Sequence, residues 1–333
     1  MMLLCWLMVF LPANKWFSID AQQNAKLKSP SMPRWVLLVV ILQVWIVYTY
    51  GSIAKWYPGW LDASVPALFM RGKSDYWFVG GLLQENWVHY CIAYVGVFFD
   101  LLIVPLLLWK RTRLAAFIVS IFFHLFNSFI FQIGIFPYMS MAFAFFFFSA
   151  ETLQKRFLPK KKLYTKGEVI VPNYKPTLIT IFSVYFIIQI GLPLRHWFFK
   201  DDVLWTEEGH RLSWRMMLRS KAGSLAVWVK EKGATEKKRY DYTQLLSKKQ
   251  QRAVKSKPDM LWQLAQRIEE AEAKKGRDVE VYMDSRIRVN TGYYHQLTNP
   301  DIDIAAEPWH HFKHTAWILP SKEGFARKPK KEK

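Results

Sequence analysis

Long apolar runs separated by short polar stretches make up the N-terminal part of the chain. A helix that crosses a bilayer needs about 20 apolar residues, and several of the runs approach that length. We predict five spans, near 35–53, 90–109, 114–132, 133–150 and 176–197. A further apolar run, 1–11, is too short to cross alone and is predicted as a partial span. The pattern therefore predicts a membrane α-helical bundle over residues 1–198.

The pattern changes after the last apolar run, and residues 199–333 are predicted to form a second, α+β domain. Apolar or alternating stretches predict strands at 225–230, 279–283 and 286–290. Apolar positions at helical spacing predict a helix over Met260–Lys275, with Asp259 as its N-cap. The basic end, 327–333, is predicted to be disordered.

The charges of the loops predict how the spans are oriented. Lysines and arginines concentrate in the loops 15–34, 110–113 and 155–166, whereas the alternating loops are balanced or uncharged. If the five spans alternate, all three basic loops lie on one side of the membrane, and basic loops favour the cytoplasm. The loop 55–89 and the whole C-terminal domain are therefore expected to be extracytoplasmic.

Composition supports a membrane protein. The formal net charge is +20 although 52% of the residues are hydrophobic, a combination that suits basic loops and a basic, water-facing tail. Nucleic-acid binding is another interpretation of such a charge, but the charge is scattered and the aromatic residues lie in the apolar runs, so no nucleic-acid partner is expected. Cys5 and Cys91 both lie in apolar runs and indicate no disulfide framework.

Four polar side chains interrupt the apolar runs. Asp100 lies in the second predicted span, and His124, Asn127 and Ser128 lie in the third. The last three share one face of an α-helix at spacings of three and four residues. They line a polar pocket inside the bundle or form hydrogen bonds between helices, and the sequence leaves both interpretations open.

Lys55 follows the first span in a stretch rich in tryptophan and tyrosine. A lysine packed among aromatic groups at a membrane boundary loses its proton more readily and can act as a base. The alternative is a lysine that extends to the lipid headgroups. His310, His311 and His314 invite a metal-site interpretation, but adjacent histidines point to different faces of a helix or strand, so we do not expect them to converge on a metal.

A set of short sequence blocks runs along nearly the whole chain. Each block alone is weak, but the ordered set is specific: 13–20, Lys55 with Trp60, 124–128 with 133–138, 192–196, 212–217, 299–303 and 308–317. The set resembles the vitamin K-dependent gamma-glutamyl carboxylase family, whose membrane part is also called the horizontally transferred transmembrane domain.

The resemblance implies an integral membrane carboxylase. Members of this family couple the oxidation of reduced vitamin K (a phylloquinone or menaquinone hydroquinone) by O2 to its epoxide with the addition of CO2 to the γ-carbon of protein glutamate. The resemblance implies that Lys55 is the base that starts this cycle, in a pocket that excludes water. It also implies that a glutamate-containing protein or peptide docks on the C-terminal domain.

Further roles carry over from the family one residue at a time. Arg71 is expected to hold the substrate carboxylate or stabilise developing negative charge, and its alternative is a headgroup contact. His196 is expected to bind the substrate or transition state, with a purely structural role as the alternative. His124, Asn127 and Trp60 are expected to line the quinone pocket.

The chain departs from the family pattern in ways that bear on its activity. It begins after the position of a family Asn-Asn-His element, so we expect an N-terminal truncation, and Arg219 replaces a family histidine. The long C-terminal β-rich region of larger members is absent, as in a short form from a bacterial cell membrane. A quinol epoxidase without carboxylation and a non-catalytic binding protein of the same fold therefore stay as alternatives.

Overall fold

The computed structural model describes residues 3, 7, 9–15, 18–28, 32–157, 159–160 and 173–326. Its helices are α1 (Ile19–Gln23), α2 (Arg34–Ile53), α3 (Pro58–Leu61), α4 (Ser64–Met70), α5 (Asn86–Leu108), α6 (Arg113–Phe126), α7 (Phe136–Ala144), α8 (Ala150–Phe157), α9 (Lys175–Leu194), α10 (Val203–Thr206), α11 (Lys248–Val254) and α12 (Pro258–Ala273). The strands are β1 (Lys221–Glu231), β2 (Lys238–Arg239), β3 (Val279–Val289) and β4 (His295–Gln296).

Among the described residues, four helices are long and apolar enough to cross a membrane. These are Arg34–Ile53, Asn86–Leu108, Arg113–Phe131 and Lys175–Phe198, and each corresponds to one of the predicted spans with ends that differ by a few residues. The predicted span 133–150 contains a shorter apolar helix, Phe136–Phe147. Its length of about 18 Å falls short of the roughly 30 Å hydrocarbon core, so its crossing of the membrane stays a prediction. The run 1–11 lies mostly outside the described residues.

The third span ends in a π-helical turn rather than in regular α-helix. Residues Asn127–Phe131 form this turn, and Gln132 follows it in the left-handed conformation, with φ of 52°. A π turn is wider than an α turn, so side chains within it leave the three-and-four spacing of an α-helix. The prediction that His124, Asn127 and Ser128 share one α-helical face rested on that regular spacing, which the turn interrupts.

Contacts divide the chain into two compact units. Unit 1 comprises Met1–Thr49 and Asp100–Ile188, and unit 2 comprises Tyr50–Phe99 and Gln189–Lys333. The loop that carries Lys55 therefore belongs to the same unit as the C-terminal part. The predicted domain boundary at residue 198 stays a prediction.

The C-terminal part of unit 2 combines an antiparallel sheet with helices, as predicted. The strand order is β2-β1-β3-β4, and β1 pairs with β3 along the full length of both strands. Alternate side chains of β3 are buried from Val279 to Val289, and α12 adds Leu261, Leu264 and Ile268 to the same core. This alternation is typical of a sheet with one face against its core.

Two details of this region differ from the prediction. The strands predicted at 279–283 and 286–290 are one continuous strand, because the buried Ser285 keeps its polar groups satisfied: its hydroxyl donates to the Lys255 carbonyl at 2.7 Å. Helix α12 begins at Pro258, which favours a first helical turn because it lacks an N–H group. Asp259 is therefore inside the helix and is not its N-cap; its carboxylate accepts a hydrogen bond from Arg211 Nε at 2.8 Å.

Candidate functional site

Lys55 lies in the turn just past the end of α2, within unit 2. On its N-terminal side, the Ser52 hydroxyl donates to the Val97 carbonyl of α5 at 3.0 Å. Ala54 is buried in the core of the C-terminal part. Both contacts hold the backbone on the N-terminal side of Lys55.

Trp60 forms one wall of the surroundings of Lys55. The Lys55 amine lies 5.8 Å from the centre of the Trp60 ring and donates to the Gly51 carbonyl at 3.1 Å. Trp60 is only 4% exposed, and its Nε1 donates to the Ala93 carbonyl at 3.0 Å. The structure thus brings together Lys55 and Trp60, two of the residues predicted for the site.

Gly96 on α5 makes room for this pair. A Cβ at this position would lie 3.7 Å from Trp60 Cζ2 and 3.9 Å from Lys55 Cε, which is ordinary contact distance. Any side chain longer than alanine would extend into the space that the indole and the lysine stem occupy. The half-buried Lys55 side chain therefore lies between the Trp60 indole and the α5 backbone at Gly96.

Tyr57 joins the Lys55 segment to the C-terminal part of the same unit. Its hydroxyl donates a hydrogen bond to the Leu218 carbonyl. Burial raises the pKa of the Tyr57 phenol above its ordinary value, so it remains protonated and keeps this donor. The contact connects the turn that contains Lys55 with the segment just before β1.

His196 reaches the same segment from the turn Arg195–Phe198 that follows α9. One ring nitrogen, Nδ1, lies 2.7 Å from the Pro193 carbonyl, and the other, Nε2, lies 3.3 Å from an Arg215 Nη1 atom. Because arginine can only donate, Nε2 accepts and Nδ1 carries the proton. His196 and Tyr57 thus contact residues three positions apart, Arg215 and Leu218.

The backbone around Arg215 and Leu218 is strained. Four residues that are not glycine adopt positive φ angles here: Glu207 (59°), Leu212 (59°), Trp214 (55°) and Met217 (52°). This conformation costs roughly 1–2 kcal/mol for a residue with a Cβ atom. Such strain persists only where surrounding contacts enforce it, and it concentrates at functional sites.

A buried ion cluster around Glu207 is one of those contacts. Arg219 donates to both Glu207 carboxylate oxygens, and the Lys221 amine lies 2.8 Å from Glu207 Oε1. Burial alone would raise the pKa of Glu207, but the neighbouring cations outweigh burial and hold the pKa at about 2. Burial also lowers the pKa of His210, 3.8 Å from the same carboxylate, to about 3, so that imidazole is neutral. Arg219, the residue in place of a family histidine, thus holds a buried carboxylate.

The predicted substrate residue Arg71 is exposed. It begins the 3-10 turn Arg71–Lys73, directly after α4 and within unit 2. An exposed guanidinium at this position can meet a carboxylate or a lipid headgroup. Its assigned role therefore stays a prediction.

His124 and Asn127, predicted for the quinone pocket, lie in unit 1. His124 is 1% exposed, and its Nε2 lies 2.7 Å from the hydroxyl of Tyr48 on α2. Asn127 donates to the Phe123 carbonyl of its own helix at 2.9 Å, and Ser128 donates to the Tyr138 hydroxyl at the same distance. His124 therefore links two spans, whereas the Asn127 amide satisfies the helix end where the π turn begins.

His314, one of the C-terminal histidines, contacts a buried carboxylate. In the part of the chain that the structure describes, no group of three His, Cys, Asp or Glu side chains could hold a metal ion. His314 Nδ1 lies 2.8 Å from the carboxylate of the buried Glu208, which also accepts the Thr315 N–H at 2.9 Å. These bonds tie the end of the domain to the strained segment.

Tyr57, Glu207, Arg215 and Lys221 were not predicted from the sequence. Hydropathy places charged residues at the surface, and it carries no information on a carboxylate that is buried among cations. The available signal was the recurrence of arginine every four residues from Arg211 to Arg219, which marks a concentrated basic segment.

Two family models match the chain. The model of the HTTM domain matches residues 1–151, which include Lys55, Trp60 and His124. The model described as vitamin K-dependent gamma-carboxylase, lumenal domain, matches residues 174–324, which include His196 and Glu207. The two matches leave only residues 152–173 and 325–333 uncovered. No solved structure matches the chain significantly.

Proposed function

Because the chain belongs to the vitamin K-dependent gamma-carboxylase family, we propose that it is an integral membrane gamma-glutamyl carboxylase. It couples the oxidation of a vitamin K-type hydroquinone by O2 to its epoxide with the addition of CO2 to the γ-carbon of protein glutamate. The observation that carries this proposal is the placement of Lys55. Its amine lies beside Trp60, on a turn that Tyr57 joins to the domain matched by the lumenal family model.

The surroundings of Lys55 fit an apolar quinol. The indole of Trp60 and the backbone at Gly96 offer apolar faces, and the amine is the basic group between them. The reduced quinone supplies the oxidisable ring whose reaction with O2 yields the strong base of this chemistry. Lys55 accepts the hydroquinone proton, and the apolar walls keep bulk water from that proton transfer.

The other site residues have supporting roles in this proposal. For His124, Asn127 and Trp60, the proposal keeps, for each residue by itself, the contact with the quinone that the family resemblance implies. Arg71 holds the glutamate carboxylate, which an exposed guanidinium can bind through two parallel hydrogen bonds. His196, held by Pro193, accepts from Arg215 and positions that guanidinium to stabilise negative charge that develops on the substrate.

The C-terminal domain is proposed to lie outside the cytoplasm, where it recruits the glutamate-containing protein. The packing of α2 and α9 supports an odd number of spans from the first to the last. Trp35 contacts Phe182 with ring centres 5.5 Å apart, and farther along both helices Tyr185 donates to Gln43 at 2.5 Å. The second contact lies closer than the first to the C-terminal end of both helices, so α2 and α9 run parallel.

Parallel helices cross the membrane in the same direction. With α5 and α6 as the two full-length helices between them, one more crossing is needed before α9, and α7 with its following turn is the apolar segment available. With five crossings, the end of α9 lies on the other side of the membrane from the start of α2. Since basic loops favour the cytoplasm, the C-terminal domain then lies on the extracytoplasmic side.

An assay of both products tests the proposed function. Membranes that contain the chain are supplied with vitamin K hydroquinone, O2, a glutamate-containing peptide and labelled bicarbonate. The proposal predicts both epoxide and peptide-bound label, each dependent on the hydroquinone. Epoxide without label would identify a quinol epoxidase without carboxylation. If the folded protein forms neither product, the enzyme assignment is wrong.

A further inference from the structure

A strongly basic cavity lies in the C-terminal part of unit 2. Its volume is about 800 Å³, and seven of the thirteen residues that line it are lysine or arginine. Glu207 is the one acidic residue among those lining residues. The walls come from the strained segment before β1 and from helix α11 with the residues that follow it.

Most of this positive charge is not neutralised inside the protein. Glu207 is already engaged by Arg219 and Lys221. The other five cations are Arg215, Lys248, Lys249, Arg252 and Lys257, and in the described part of the chain none of them forms an ion pair with a carboxylate. The Nε atom of Arg215 is buried and has no hydrogen-bond partner among the described residues. A concave surface with this excess of cations attracts a ligand with several negative charges.

The size and chemistry of the cavity favour a peptide among the possible anions. A volume of about 800 Å³ is within the range of sites that hold extended organic ligands and far exceeds what one small ion needs. A lipid would require an apolar path for its acyl chains, but the apolar lining consists only of Met217, Leu218 and Ala253. Carboxylates spaced along a peptide match cations spaced along the walls.

The cavity also adjoins the segment that carries the proposed base. Leu218, in its wall, accepts the hydrogen bond from Tyr57, two residues after Lys55. Arg215, another wall residue, contacts His196. We propose that this cavity binds the carboxylates of an acidic peptide segment that neighbours the glutamate to be modified. The role in substrate selection rests on the proposed function, whereas the binding itself does not.

The test measures peptide binding by the full chain in neutral-lipid nanodiscs. The probe is a fluorescent peptide with several aspartates, which offer carboxylates without the glutamate that is modified, and its comparison is the same peptide with asparagines. We expect the aspartate peptide to bind, the asparagine peptide not to bind, and added salt to weaken binding because exposed charges are screened.

Charge-neutralising variants locate the site. The variant Lys248→Gln/Lys249→Gln/Arg252→Gln removes three cations from the α11 wall and is expected to weaken binding roughly tenfold. The matched control Lys238→Gln/Arg239→Gln/Lys274→Gln removes three exposed cations that do not line the cavity, and it is expected to bind like the unmodified chain. Circular dichroism confirms that both variants are folded.

Several results would overturn the inference. Equal weakening in both triple variants would indicate attraction to overall charge rather than a site. Equal binding of the asparagine peptide would exclude carboxylate recognition. A variant that loses affinity for phosphatidylglycerol vesicles but keeps affinity for the peptide would identify a lipid site. If the α11 variant still carboxylates a short glutamate peptide without acidic neighbours, the proposed function stands whatever the outcome of the binding test.

Discussion

Single residues determine the chemistry available around Lys55. The amine is held by the Gly51 carbonyl and packed against Trp60, and Gly96 leaves the space that the lysine stem needs. The sequence identified Lys55 and Trp60 because their spacing along the chain matches a sequence block of the family. It could not identify Gly96, because only the fold brings the α5 backbone against the loop.

Glu207 is the residue on which the neighbouring segment depends most. It has 6% of its side chain exposed and accepts hydrogen bonds from Arg219 and Lys221. Removing one member of a buried ion pair costs roughly 3–5 kcal/mol, because the charges left behind are unpaired. The cluster therefore provides contacts that keep residues 207–217 in their strained conformation.

His210 makes the stability of this region depend on pH. Burial lowers its pKa from 6.5 to about 3, so the folded protein keeps it neutral while the unfolded chain takes up a proton below about pH 6.5. Stability is therefore full above that pH and falls as the pH drops towards 3. Between about pH 7.5 and about pH 5 the expected loss is about 2 kcal/mol, seen as a lower Tm in thermal unfolding.

Two variants separate this effect from general acid sensitivity. His210→Asn removes the titrating group, so its Tm should fall less on acidification than that of the unmodified chain. His311→Asn is the matched control for the substitution itself, because it replaces an exposed histidine with the same side chain. An unchanged pH dependence in His210→Asn would refute the role of His210.

At the scale of elements, the segment 207–217 lies between α10 and β1 and has no regular structure. Its left-handed residues turn the chain sharply, so that Arg215 faces His196 and Leu218 meets Tyr57. Gly209 makes the closest approach: with φ of 71°, a Cβ there would lie 2.7 Å from His196 Cα. The position of His196 therefore depends on a glycine thirteen residues later.

We predict that Gly209→Ala displaces His196. Both the positive φ and the contact with backbone atoms oppose a side chain, and such strain costs on the order of 1–3 kcal/mol. Thermal unfolding should show the loss of stability, and both products of the coupled assay should decrease. Gly191→Ala is the control, because among the described residues no atom outside its own stretch of helix lies within 4 Å of a Cβ at that position on α9. Equal stability of the two variants would contradict this account.

The sequence predicted helices and strands better than their irregular parts. Apolar runs predicted the four long helices, since hydropathy over twenty residues is a strong signal. The π turn at Asn127–Phe131 and the early end of the helix at Phe147 were not predicted, because they depend on local hydrogen bonds. Predicting β3 as one strand would have required knowing that the Ser285 hydroxyl finds a hydrogen-bond acceptor inside the core.

For the whole molecule, orientation in the membrane is the property with the widest consequences. Loop charges and the parallel packing of α2 and α9 support the same topology, although they are independent observations. The extracytoplasmic position would give the C-terminal domain access to exported proteins. The division into the two compact units was not predicted, because the union of 50–99 with 189–333 depends on contacts distant in sequence.

Cysteine accessibility tests this topology. In a chain with Cys5→Ser and Cys91→Ala, we predict that Thr235→Cys reacts with a membrane-impermeant maleimide in intact cells. Arg111→Cys, in a loop predicted to be cytoplasmic, should react only after lysis. Both positions are exposed, so accessibility within the protein does not limit either reaction. The reverse pattern would place the C-terminal domain in the cytoplasm and refute the proposed orientation.

The central claim is that Lys55 is the base of a coupled carboxylase, and the most direct measurement compares Lys55→Ala with Lys73→Ala in the two-product assay. Lys73 is a matched control, since it is a lysine of the same loop whose amine donates to the Tyr76 hydroxyl at 2.7 Å. The account predicts that Lys55→Ala loses both epoxide and peptide-bound label by roughly a hundredfold or more, as expected for a lost general base. Lys73→Ala should keep both. Unchanged formation of both products by Lys55→Ala would contradict the account and place the base elsewhere.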